Sequence, residues 1–230
     1  MADPASPSPA GSPSRPARLV VVAGTGTDVG KTWVAAAVAR ALRARGRTVA
    51  ARKPAQSFEP GDGPTDAEVL GAATGEPPEV VCPFDRWYGV PMAPFMAADV
   101  LGCGPFTVAD LAAELAWPAT GARDVGIVEG VGGVGSPIDA AGGDTATLVD
   151  ALAPDVVVLV AGPGLGTLNL VRLCLPALAV AVPAGARVAV HVNRYDGDDG
   201  LHRRNVEWLT RHAGTPVTTE VPALVDELLR

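Results

Sequence analysis

The stretch VVVAGTGTDVGKTW, Val20 to Trp33, restricts the possible folds of this chain more than any other segment. A β-branched apolar run leads into closely spaced glycines, and a lysine and a hydroxyl residue then open a helical pattern. That order suits a loop whose backbone N–H groups converge on phosphate oxygens at a helix N-terminus. Lys31 would supply a mobile positive charge there, and Thr32 an oxygen ligand for Mg²⁺. The spacing departs by one from the usual G-x-x-x-x-G-K-[ST], because the position expected to hold the first glycine is Thr25 and the nearest earlier glycine is Gly24. A glycine-rich turn without a ligand is the competing reading, and the strand before and helix after speak against it.

Four further runs resemble the one that precedes the loop: RTVAARK, VGIVEG, DVVVLVAG and RVAVHVNR. Each has strand length and small or β-branched apolar content, and helical stretches separate several of them. The expected fold class is α/β, a mostly parallel sheet with helices on both faces, of the P-loop NTPase kind. After Lys31 the positions Val34, Val38 and Leu42 recur on one helical face and Gly46 supplies a stop. Further helices are expected near 65–74, 107–116, 144–152, 167–181 and 200–213. With 230 residues, 48% of them apolar and only 4% aromatic, the chain suits one closely packed domain over 18–230. Residues 1–17, rich in Pro, Ser and Ala and without an apolar centre, read as a disordered tail rather than a secretory signal.

Other classes fit poorly. A net charge of −7 argues against a nucleic-acid surface, and no uninterrupted apolar run has membrane length. Cys82, Cys103 and Cys174 lack C-x-x-C spacing and His partners, so they read as buried thiols of a cytoplasmic protein rather than as zinc ligands or disulfides. His191 falls in an expected strand, while His202 and His212 fall in a polar helix and at its end. Core packing or solvation explains all three.

A magnesium-nucleotide site needs carboxylates, since Mg²⁺ takes hard oxygen ligands. Glu129 ends the VGIVE run, at the edge where ligands of parallel sheets collect; a solvated loop glutamate is the alternative. Asp66, in GPTDAEVL, could join it, although Thr65 or Asp66 could equally be an ordinary helix N-cap. Lys53 stands where the second strand emerges beside the loop, with Pro54 fixing the chain and Ser57 returning a hydroxyl. Taken alone it would read as a surface lysine.

Together, GTGTDVGKT, KPAQS, TDAEVL, PMAPFMAA, VEGVGG, LGTLN and VNR resemble the dethiobiotin synthetase family, in that family's order from about residue 18 to the C-terminus. The wide loop is itself a habit of that family. The resemblance implies ATP with Gly26, Thr27, Asp28, Val29, Gly30, Lys31 and Thr32 around its phosphates, and Mg²⁺ on Thr32, Asp66 and Glu129. It places Thr27, Lys53 and Ser57 at a substrate carbamate, Asn193 at the adenine, and the segment around Pro222 over the base. It also implies a homodimer in which Gly166, Thr167, Leu168 and Asn169 receive the carboxylate tail of the neighbour's substrate. The implied reaction closes 7,8-diaminopelargonate and CO₂ into a cyclic urea at the expense of ATP, with no nucleic-acid or membrane partner. Phe58, Val131 and Gly164 depart from the family's usual residues, and a bulkier side chain near the substrate would reshape its pocket. Two rivals are a nucleotide-switch ATPase of the partition or septum-site type and a regulatory or altered-substrate member of the synthetase family. The first typically carries a further lysine early in the loop, where this chain has Ala23 and Gly24.

Overall fold

Strand β1 (Arg18–Gly24) is apolar along almost its whole length because it is covered on both sides. The structure, a computed structural model, describes residues 15–118 and 123–230. After β1 the elements are α1 (Lys31–Ala44), β2 (Val49–Arg52), β3 (Gln56–Ser57), α2 (Asp66–Thr74), α3 (Pro78–Val81), β4 (Trp87–Tyr88), α4 (Pro94–Val100) and α5 (Val108–Glu114). The second half continues with β5 (Val125–Glu129), α6 (Thr145–Leu152), β6 (Val156–Ala161), α7 (Thr167–Ala181), β7 (Arg187–Val192), α8 (Gly200–His212), β8 (Val217–Thr218) and α9 (Val221–Leu229).

The main sheet runs β2-β5-β1-β6-β7-β8, and every pairing in it is parallel. Alternate residues of β1 serve opposite cores, as the two-residue period of a strand requires. Val20 and Val22 pack with Val34, Leu70 and Leu224 from α1, α2 and α9. Leu19, Val21 and Ala23 pack with Val149, Leu178 and Leu209 from α6, α7 and α8. Since all six strands point the same way, the segments leaving β1, β2 and β5 emerge at one edge, with β1 in the middle.

The five expected strands and six expected helices are all present, with ends moved by a few residues. Short elements were not foreseen: the β3–β4 pair, α3, α4, β8 and α9. Two-residue strands and the single turn of α3 carry no period to read. Helix α9 buries Leu224, Val225 and Leu228, so the apolar side of PALVDELLR is used inside the fold. Among the described residues no helix is long and apolar enough to cross a membrane.

Of the expected tail, residues 1–14 lie outside the described residues. The last residues of that range are placed: Ala17 N–H donates to the Arg123 carbonyl, and Arg15 pairs with Asp155 at 3.1 Å. The thiols depart from expectation. All three are free, but only Cys82 is buried, its pKa pushed up to about 12 by that burial, whereas Cys103 is exposed in the turn that ends α4.

His191 is buried in β7 with Nδ1 3.0 Å from the Thr218 hydroxyl, and burial pushes its imidazole down to about 4 from an ordinary 6.5. Between those values the unfolded chain binds more protons than the folded one, so stability is lost as pH falls from 6.5 towards 4. The expected contribution is at most roughly 3 kcal/mol. Urea unfolding of the parent and His191→Gln across this range checks it: the variant should show the shallower acid loss, and parallel curves would put the acid sensitivity elsewhere.

Candidate functional site

The glycines of the loop act where the chain is tightest. Gly30, the N-cap of α1, has φ of 92°, and a Cβ there would stand 2.1 Å from Asn193 Nδ2. At Gly24 a Cβ would meet the Lys31 stem at 2.9 Å, so the early glycine lets that lysine fold back along the end of β1. Lys31 Nζ donates to the Gly26 carbonyl at 3.1 Å. One backbone bond moors the loop to the sheet, Thr25 N–H to the Val160 carbonyl, and another ties its first glycine to the segment after β5, Val134 N–H to the Gly24 carbonyl, each 2.9 Å.

Lys53 leaves β2 with its N–H on the Val81 carbonyl at 2.8 Å. Its ammonium is buried between two carboxylates, 2.7 Å from Asp66 Oδ2 and 2.7 Å from Glu129 Oε1. Asp66 is free to take part because Thr65, not Asp66, caps α2: the Thr65 hydroxyl accepts from Glu68 N–H while the Glu68 carboxylate receives the Thr65 N–H. Thr32 Oγ1 lies 2.7 Å from Asp66 Oδ1 and 2.9 Å from Glu129 Oε1. A hydroxyl has one proton and donates to one of them at a time, so three oxygens are gathered more closely than hydrogen bonding uses. Glu129 Oε2 is buried without a partner among the described residues. Hard oxygens of this kind fit Mg²⁺, which Thr32, Asp66 and Glu129 could hold.

Burial by itself would lower the Lys53 pKa, but Asp66 and Glu129 outweigh it and hold the ammonium above its ordinary value. Lys31 is pushed down, by burial first and by the like charge of Lys53 second. Asp66 resists its own burial and lies below the usual carboxylate range because Lys53 attracts its charge. Glu129 is raised, chiefly by burial and further by Asp66, with Lys53 pulling the other way.

These groups face a cleft of about 740 Å³, which Thr27, Asp28, Gly30 and Ser57 also line. A smaller cleft of about 350 Å³ adjoins it, lined by His191, Asn193 and the Thr219–Val221 segment. Asn193 Nδ2 donates to the Val29 carbonyl at 3.0 Å, tying β7 to the loop. Pro222 does not line this cleft; its neighbours Glu220 and Val221 do, because Pro222 is turned outward as it starts α9. Val29 likewise turns its side chain to the core, and its carbonyl accepts from Asn193.

The segment Gly166–Asn169 stands apart from both clefts, at the N-terminus of α7, with Thr167 Oγ1 buried and unpartnered. Among the three departures, Val131 lines the larger cleft. Phe58 does not: its ring packs edge-on against Trp87 at 6.0 Å. The Gly164 carbonyl accepts from Asn205. Cleft residues given no role by the sequence reading include Trp33, Gln56, Ser136, Pro137 and Arg194. Trp33, Gln56 and Arg194 lie within or beside motifs, but nothing in the sequence shows which way their side chains turn.

Removing Lys53 should leave the buried Glu129 carboxylate facing the partly exposed carboxylate of Asp66. Lys53→Gln is expected to cost about 3–5 kcal/mol at pH 8. The native carboxyls would then bind protons more readily than the unfolded ones, so the variant gains stability as pH falls, and its deficit should be smaller at pH 5. Urea titration of parent and variant at both values checks this; an unchanged midpoint at pH 8 would remove Lys53 from the cluster.

The AAA domain family matches residues 18–226. A protein named ATP-dependent dethiobiotin synthetase BioD from a Caulobacter species (strain K31) is 40% identical over 176 residues, 74% of this chain and 74% of its own length. The protein of the same name from Rhodococcus jostii (strain RHA1) is 38% identical over 207 residues, 89% of this chain and 86% of its own. A solved structure, cobyrinic acid a,c-diamide synthase from Mycobacterium smegmatis with bound ATP analog and magnesium, covers 93% of this chain and 94% of that one. Its TM-score is 0.54 at 16% identity, a likeness of fold.

Proposed function

The chain belongs to the ATP-dependent dethiobiotin synthetase family, and from that premise we propose that its larger cleft forms dethiobiotin from 7,8-diaminopelargonate, CO₂ and ATP. The observation that carries this reading is the convergence of Lys31, Thr32, Lys53, Asp66 and Glu129 on one cleft at the carboxyl edge of the sheet. One substrate amine takes up CO₂ and loses a proton to become a carbamate. A carbamate oxygen attacks the γ-phosphorus, ADP leaves, and a mixed carbamic–phosphoric anhydride results. The neighbouring amine then attacks the carbonyl carbon, phosphate departs, and the cyclic urea is closed.

No step requires a nucleophile from the protein. The residues must bring two anions together, and the worth of a charge for that purpose rises in a site shielded from water. Lys31 would lie along the phosphates, with the backbone N–H groups from Gly26 to Gly30 around them. Thr27, Lys53 and Ser57 would hold the carbamate; the buried Ser57 hydroxyl has no partner among the described residues. Thr32, Asp66 and Glu129 would hold Mg²⁺, which when bound would supply charge neutralisation to the triphosphate. In the smaller cleft one N–H of the Asn193 amide is used on Val29, and Oδ1 would accept from an adenine amino group.

Incubation with 7,8-diaminopelargonate, bicarbonate, ATP and Mg²⁺ should yield a product with the mass of dethiobiotin. Lys31→Ala should abolish it without loss of fold, since that side chain is directed to ligand. Absence of the product from the folded parent would overturn the substrate assignment, and full turnover by Lys31→Ala would overturn the loop assignment.

The homodimer is part of the same proposal. Leu170, Leu173 and Val180 form an exposed apolar stripe along α7, and Leu165 stands 93% exposed just before it. A two-fold contact along this stripe would bury it and bring Gly166–Asn169 towards the partner's cleft. Light scattering should give twice the chain mass, and Leu173→Asp combined with Val180→Asp should halve it and reduce turnover. A monomeric parent with full activity would contradict the shared site.

A further inference from the structure

Trp33 is the third residue of α1, directly after the two residues that carry the ligand chemistry of the loop. An indole normally contributes to a core, yet this one is 55% exposed. It lines both clefts, as does Arg194, which approaches from the end of β7. The other tryptophans, Trp87, Trp117 and Trp208, line neither. Trp33 and Arg194 thus mark the junction of the two clefts. An extended ligand with its phosphates on the loop and an aromatic base beside Asn193 would cross this junction.

We propose that Trp33 is a nucleotide-contacting, specificity-determining residue whose indole packs against the ribose and base and selects nucleosides over bare polyphosphates. The inference rests on the nucleotide site proposed above and adds a residue to it. An exposed indole at this junction gains contact and loses water when a flat, partly apolar group lies on it, whichever base is present, since every base has a π-face. Asn193 recognises the base edge by hydrogen bonding, while Trp33 supplies affinity that is tolerant of base identity. Arg194 has an exposed side chain and a left-handed backbone, φ 57°, and forms no ion pair among the described residues. Its charge flanks the same passage.

The test compares ATP, ADP and inorganic tripolyphosphate, each with Mg²⁺, on the full chain and on Trp33→Ala and Trp33→Phe. Calorimetry should show ATP and ADP binding to Trp33→Ala weakened by roughly 5-fold to 100-fold, the range that one lost stacking partner produces. Tripolyphosphate, which needs only the loop, should bind parent and variant alike. ADP should change the tryptophan emission of the parent, and this change should vanish in Trp33→Phe while ADP still binds. Because Trp33 is half exposed, its truncation removes little core, and thermal unfolding should confirm a folded variant. Equal ATP affinities in parent and Trp33→Ala, or an equal loss for ATP and tripolyphosphate, would overturn the inference and leave the loop assignment standing. Failure of the parent to bind any of the three ligands would instead overturn the nucleotide site itself.

Discussion

The site depends on one buried electrostatic arrangement: a lysine held between two carboxylates, with a hydroxyl touching both of the same carboxylates. Lys53 and Glu129 are 3% and 1% exposed, so neither charge has water to rely on. Each is tolerable only because the other is present, since an isolated buried charge costs several kcal/mol. This mutual need fixes the ends of β2 and β5 and the start of α2 relative to the loop. The same oxygens suit a divalent cation, so the group that keeps the cluster together also defines where a metal would sit.

Placing that cluster requires the parallel sheet. β1 sits between β5 and β6, and β5 sits between β1 and β2, so the loop, Glu129 and Lys53 leave three adjacent strands at one edge. Asp66 arrives from outside the sheet, on the first turn of a helix whose cap is supplied by its neighbour Thr65. Separate residues for capping and for ligand binding free the Asp66 carboxylate from backbone duty. The backbone bond from Thr25 to Val160 holds the loop against the same edge and that from Val134 to Gly24 ties it to the segment after β5, so its shape is set by these neighbours as much as by its glycines.

The division of the active edge into two clefts matches the demands of the proposed reaction. The larger carries the positive charges and the oxygens, and the smaller carries the amide of Asn193 and the buried His191. Asn193 joins them physically: its bond to Val29 leaves no room for a side chain at Gly30, so the end of β7 and the glycine-rich loop are packed as one unit.

The sequence by itself determined the fold class, the five long strands and the loop, because these rest on local chemistry. Val-rich runs of strand length, glycines before Gly-Lys-Thr, and the repeat of Val34, Val38 and Leu42 each act through near neighbours in the chain. The residue types at the site were legible in the same way, each standing at the end of an expected element. Their relations were decided only by the tertiary structure. Whether Lys53 is a surface lysine or a buried ion-pair partner depends on Glu129, 76 residues away, and whether Asp66 caps a helix or faces the cleft depends on how α2 docks. The outward turn of Pro222, the packing of Phe58 on Trp87 and the exposure of Trp33 are likewise products of packing. A side chain's identity is local, but its direction and its solvent are set by whatever the rest of the chain brings beside it.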